Sequence, residues 1–204
     1  MIGIFGAGFS GKAIGQRLAE AGHKVWGTTR KQDGFDTLRT CSIDPVIFDG
    51  AKVNDALCAA LAETTHLVIS IAPPREENLA EPDAPVDPVL IAVEDDSLRA
   101  LAPKLQWIGY LSTVGVYGNH DGAWIDEDAP LAPTSARSRQ RVRAEAEWLT
   151  IGEAFDLPVA VMRLSGIYGP GRNGLKTAAE GRSRRLGKKD QVINRIHTHD
   201  NATA

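Results

Sequence analysis

Apolar residues fall into two kinds of segment along this chain. Short unbroken runs occupy residues 2–5, 24–28, 45–48, 66–71, 107–111 and 159–163. Runs of that length without polar alternation are what parallel strands buried on both faces require. Between them, apolar positions recur at helical spacing over residues 12–21, 53–62, 89–101 and 134–155. In the first of these, Ala13, Ile14, Leu18 and Ala21 share one side, and Gly22 is placed to end the helix in a left-handed conformation. In the last, Val142, Ala146 and Leu149 are the expected inner face. Residues 72–88, rich in proline and acidic side chains, read as a surface loop. Strands alternating with helices predict an α/β fold, a doubly wound parallel sheet with right-handed crossovers. Such a sheet binds ligands at the carboxyl ends of its strands, near the point where strand order reverses.

The first such end carries Gly6-Ala7-Gly8-Phe9-Ser10-Gly11, a G-x-G-x-x-G turn between a strand and a helix. Gly6 permits the tight turn. Gly8 lets a diphosphate approach the backbone, and Gly11 lets helix and strand pack closely. Phe9 and Ser10 then open a helix whose free N–H groups and positive dipole end face the phosphates. The second strand ends in Thr28-Thr29-Arg30-Lys31. An NAD site places a carboxylate there for the ribose hydroxyls. Here hydroxyls and cations replace it, and Arg30 suits a 2′-phosphate, which favours NADP over NAD. Asp49 follows the third strand and either accepts from the adenine amino group or caps the next helix. Ala72 follows the fourth strand and lies near the same groove.

Composition narrows the class without naming the chemistry. Hydrophobic residues at 43% and charged residues at 24% suit a soluble globular chain, and a net charge of −3 gives no whole-chain basic surface for nucleic acid. Basic stretches at 137–143 and 182–189 are either solvated surface or phosphate contacts. Cys41 and Cys58 fit neither a metal motif nor a disulfide framework, so reduced thiols and a cytoplasmic location are expected. No segment is apolar enough to span a bilayer, and residues 1–5, which run directly into the glycine turn, lack the basic region and small-residue cleavage site of a signal peptide.

Three further segments complete a pattern. One is Leu111-Ser112-Thr113-Val114-Gly115-Val116-Tyr117-Gly118. The second is Arg163-Leu164-Ser165-Gly166-Ile167-Tyr168-Gly169-Pro170-Gly171, and the third is Asn194-Arg195-Ile196-His197-Thr198-His199-Asp200. With the glycine turn these resemble the extended short-chain dehydrogenase/reductases, the NAD-dependent epimerase/dehydratases, from Met1 to about Ala202. The resemblance implies an NAD(P)-binding Rossmann fold over residues 1–165 and part of a substrate-binding region over 166–204. Because the family continues further, the latter is expected to be truncated or incomplete.

The resemblance also implies hydride transfer between a nicotinamide and a small carbonyl, alcohol or nucleotide-sugar substrate, with a Tyr-x-x-x-Lys pair as acid/base. Thr113 matches the hydroxyl residue that holds the reacting oxygen, with Ser112 beside it. The pair itself is replaced, since Arg137 stands at the Tyr position and Arg141 at the Lys position, and arginine does not exchange protons near neutral pH. This matches the atypical members of the family. It leaves Arg141 to bond the cofactor ribose and Arg137 to bind an anionic substrate. Water, Tyr117 or another group then supplies the proton. Tyr168, Arg195 and His197 are expected at the substrate, no metal is expected, and the long helices are the expected surface of a homodimer. The expected function is an NAD(P)-dependent oxidoreductase or epimerase/dehydratase. The alternative is an NADP-binding redox sensor or scaffold without turnover.

Overall fold

The computed structural model describes residues 1–74, 84–93, 98–183, 187 and 192–203. Six parallel strands form its main sheet: β1 (Ile2–Phe5), β2 (Val25–Thr29), β3 (Asp44–Ile47), β4 (His66–Ile69), β5 (Trp107–Thr113) and β6 (Val159–Leu164). Their order is β3-β2-β1-β4-β5-β6, so chain direction across the sheet reverses between β1 and β4. This is the doubly wound arrangement of a Rossmann-type fold. Its helices are α1 (Phe9–Glu20), α2 (Phe35–Arg39), α3 (Asp55–Ala62), α4 (Pro88–Ala92), α5 (Leu98–Leu101) and α6 (Ala136–Phe155).

Adjacent residues on the central strands serve opposite faces, which explains the unbroken apolar runs. Phe5, Leu67, Ile69, Ile108 and Tyr110 join Leu57, Leu61, Ala144 and Trp148 in one core cluster. Ile4, Val68 and Leu111 join Val25, Leu38 and Ile43 in the other, against which Ile14 and Leu18 of α1 pack. Trp26 is buried without leaving its ring nitrogen bare: Nε1 donates to Thr64 Oγ1 at 2.9 Å. Gly22, at φ +87°, follows α1 as expected.

Two expectations fail here. The inner face of α6 is not Val142, Ala146 and Leu149. Ala144, Trp148 and Gly152 are buried together with Ser138, Gln140 and Glu145, whereas Leu149 is 43% exposed. One large indole at Trp148 and small residues four positions to either side let the helix approach the sheet, and a polar neighbour network accommodates Glu145. Asp49 does not cap α3 either. Asn54 does, accepting from Leu57 N at 2.9 Å, while Asp49 closes its own turn by accepting from Ala51 N at 2.9 Å. Part of the helix expected over 89–101 and most of the basic stretch 182–189 lie outside the described residues.

A second, two-stranded parallel sheet pairs β7 (Gly166–Tyr168) with β8 (Arg195–His197). The short helices α7 (Gly174–Ala179) and α8 (Thr198–Asn201) follow these strands, and α8 packs on α1.

Candidate functional site

The turn after β1 is built from backbone geometry. Gly6 sits at φ +83°, where an added Cβ would also lie 2.8 Å from Ile71 Cγ1. At Gly11 an added Cβ would lie 2.6 Å from Gly6 O and 3.1 Å from Ile4 Cγ2, so α1 could not approach β1 as it does. At Gly8 the only neighbour of an added Cβ is Gly6 O at 3.9 Å, so the backbone there faces open space. Gly8 provides no side-chain cap for α1, and no acidic residue stands in the first turn. Among the described residues, α3, α4, α6, α7 and α8 each have a side-chain cap, whereas the short α2, preceded by Gly34, has none. The first N–H groups of α1 are thus left for an outside acceptor.

The turn is anchored by a residue to which the sequence pattern assigns no role. Thr28, buried at the end of β2, accepts from Gly6 N through Oγ1 at 2.7 Å, and its carbonyl accepts from Ala7 N at 2.9 Å. Thr29, Arg30, Asp49, Ala72, Gly6 and Gly8 line one cavity of about 740 Å³, together with Phe48, Ser70, Pro88 and Ile91. It runs along the carboxyl edge of β1 to β4. A second hollow of about 420 Å³ at its outer end is bounded by Thr29, Arg30, Lys31 and Asp33.

One strand over, β5 ends in Thr113, whose Oγ1 accepts from Gly115 N at 3.2 Å. Its hydroxyl proton has no acceptor among the described residues. Ser112 and Tyr117, by contrast, are engaged in a buried network. The Ser112 hydroxyl donates to Glu145, which is 2% exposed. Arg163, from the end of β6, donates to Glu145 Oε2 through Nη2 at 3.0 Å and through Nε at 3.2 Å. Its Nη1 donates to Tyr117 Oη at 2.8 Å and Glu127 O at 3.0 Å. Burial works against the charge of Arg163, but the hydrogen bonds it donates to Glu145 and Tyr117 outweigh it and hold the guanidinium above its ordinary value. Glu145 and Arg163 were missed as a pair, although Glu145 lies one helical turn beyond Arg141 on α6.

Arg141 points at the sheet. Its Nη1 donates to Leu111 O at 2.8 Å and to Tyr110 Oη at 3.0 Å. Burial pushes the Tyr110 phenol upward, partly opposed by the Arg141 charge. Arg137 is exposed at the start of α6. Tyr168 and His197 meet edge-to-face, ring centroids 5.2 Å apart, and Arg195 lies across Gly166, its Nη1 3.0 Å from where a Cβ would be. His197 also caps α8, accepting from His199 N at 3.3 Å through Nδ1. None of these three lines the larger cavity.

Asp87 is a buried carboxyl behind the cavity. Its Oδ1 caps α4, accepting from Val89 N at 2.9 Å, and its Oδ2 has no partner at hydrogen-bond geometry among the described residues, with Trp148 nearby. Burial raises it to about 6, against the lowering effect of Trp148 and the Val89 and Leu90 amides. Among the described residues no His, Cys, Asp and Glu cluster suits a metal, and no helix is long and apolar enough to cross a membrane.

The model of the NAD dependent epimerase/dehydratase family matches residues 2–202. Protein YeeZ of Escherichia coli K12 is 27% identical over 212 residues, covering 98% of this chain and 69% of its own length. A structure of a functionally unknown conserved protein from Silicibacter pomeroyi shares 40% identity at a TM-score of 0.81. That match covers 99% of this chain, which spans 65% of the Silicibacter chain's length. UDP-glucose-4-epimerase from Stenotrophomonas maltophila, solved with bound NAD, has a TM-score of 0.75 at 18% identity, covering 99% of this chain and 71% of its own, a likeness of fold.

Proposed function

We infer the function from one premise: this chain belongs to the NAD dependent epimerase/dehydratase family. Family and fold together are those of NAD(P)-dependent oxidoreductases and epimerase/dehydratases acting on small carbonyl or alcohol substrates. The reading that the geometry supports best is an NADP-dependent enzyme of this kind. The observation that carries it is the uncapped start of α1 beside the open backbone of Gly8, at the mouth of a cavity ending in Thr29, Arg30 and Lys31.

In this reading the residues Gly6 to Gly11, with Phe9 and Ser10 at the head of α1, receive the diphosphate. Thr29 and Arg30 take the 2′-phosphate, with Asp49 at the adenine and Ala72 along the groove. A nicotinamide cofactor supplies or accepts the hydride. Thr113, with its hydroxyl proton uncommitted, donates to the reacting oxygen of the substrate and orients it. Ser112 and Tyr117, held by Glu145 and Arg163, keep the end of β5 in place, so the transferred proton comes from water. Arg141 has donors left over for the ribose after its bonds to Leu111 and Tyr110. Arg137, Tyr168, Arg195 and His197 make an anionic or aromatic substrate contact. The second reading, NADP binding without turnover, is favoured by arginine at both positions of the family's acid/base pair.

Thermal unfolding with saturating NADPH or NADH tests the cofactor, since a ligand stabilises the folded state according to its excess over Kd. NADPH is expected to raise the melting temperature more than NADH, and a larger rise with NADH overturns the role of Arg30. Oxidation of bound NADPH against a carbonyl panel then separates the two readings. Turnover that Thr113→Ala abolishes supports the enzyme, whereas tight binding with no turnover on any compound supports the sensor.

A further inference from the structure

A guanidinium from a distant part of the chain stands over the head of α1. Arg172 Cζ lies 5.3 Å from the centre of the Phe9 ring, and Phe9 is the first residue of that helix. The approach is fixed by a tight turn after β7. Gly169 N donates to Arg172 O at 2.9 Å and Arg172 N to Gly169 O at 3.0 Å, with Gly171 at φ +75° between them. Asn173 ties the next residue down, donating from Nδ2 to Gly169 O at 3.3 Å and capping α7 through Oδ1.

The placement is electrostatically one-sided. A helix start already presents partial positive charge, and anions are favoured there. Here it has no acidic residue in the first turn and no side-chain cap, and Lys12 is in that turn. Arg172 adds a full charge on the Phe9 ring, yet neither Lys12 nor Arg172 has an ion-pair partner among the described residues. The ring attracts the cation without neutralising it, and the Arg172 side chain makes no hydrogen bond among the described residues.

We propose that Arg172, exposed and seated on Phe9 at the head of α1, is a cofactor-binding residue that pairs with the diphosphate of the bound dinucleotide. This rests on the dinucleotide reading above and extends it. The small β7–β8 sheet then contributes to cofactor retention as well as to the substrate side, because its turn carries the guanidinium.

Isothermal titration of the whole chain tests it with three probes. NADPH and 2′-phospho-ADP-ribose both carry the diphosphate, whereas 2′-AMP carries the adenosine end alone. Arg172→Ala is expected to weaken the first two roughly tenfold, the size of one lost charge-assisted hydrogen bond, and to leave 2′-AMP unchanged. Phe9→Leu, which removes the seat, is expected to act in the same direction, and Arg172→Lys to fall between. Equal affinity of Arg172→Ala and wild type for NADPH overturns the proposal. So does a loss seen with NADPH and not with 2′-phospho-ADP-ribose, since the contact then belongs to the nicotinamide half. If the wild-type protein binds neither dinucleotide probe, the dinucleotide reading itself fails, a result distinct from an indifferent Arg172.

Discussion

Two alanine substitutions three residues apart, Gly8→Ala and Gly11→Ala, should separate folding from binding. At Gly11 the new Cβ meets Gly6 O at 2.6 Å and Ile4 Cγ2 at 3.1 Å, both in the packed layer between α1 and β1. The helix must lift, and overpacking of this kind costs about 1–3 kcal/mol. For a chain of this size that corresponds to a melting temperature lower by roughly 2–12 °C. At Gly8 the Cβ meets only Gly6 O at 3.9 Å, so the packing has room for it. The methyl instead occupies the space in front of the α1 amides. Losing one charge-assisted hydrogen bond there costs about 1.5–3 kcal/mol, a loss in NADPH affinity of about tenfold or more. Thermal scans without ligand followed by calorimetric titration with NADPH read both quantities. The expected pattern is Gly11→Ala unstable and Gly8→Ala stable but binding poorly. A Gly8→Ala protein with wild-type affinity for NADPH refutes the placement of the diphosphate, and a Gly11→Ala protein of wild-type stability refutes the packing argument.

Glu145→Ala strips the buried partner from Arg163, whose side chain is 21% exposed, and breaking such a pair costs about 3 kcal/mol or more; a urea titration should show it, with Glu145→Leu/Arg163→Met recovering part of the loss. Asp87 gives a pH signature. Its folded value near 6 lies above the ordinary 3.8, so the protonated form favours the folded state, and its contribution is full below about pH 4 and lost as pH rises through 6. The change is on the order of 3 kcal/mol. Asp87→Asn keeps an oxygen for the Val89 amide, so the wild-type-minus-variant difference in urea stability should fall between pH 4 and 7; a difference flat with pH contradicts it.

What the sequence made legible was mostly local. The glycine turn could be read because each glycine answers a constraint within a few residues, and the strands because burial on both faces demands unbroken apolar runs. The face of α6 could not, because it depends on partners elsewhere in the chain. Glu145 is buried since Ser112 from β5 and Arg163 from β6 reach it, and no periodicity within α6 records that. The same holds for Arg141, whose position suggested the cofactor and whose Nη1 is committed to Tyr110 and Leu111. Asn54 rather than Asp49 caps α3 because a cap must stand immediately before the first helical residue, and the helix begins at Asp55. The stack of Arg172 on Phe9 joins positions too far apart for any local pattern to reveal.

The hydroxyl of Thr28 has one further consequence. By clasping the amide of Gly6 it makes a single strand responsible for both ends of the groove, since the very next residues face its outer hollow. Substitutions at Thr29 or Arg30 leave that clasp intact. If the groove takes the dinucleotide as proposed, discrimination between phosphorylated and unphosphorylated ribose is free to drift over evolutionary time, or to be redesigned at the bench, while the grip on the rest of the nucleotide persists.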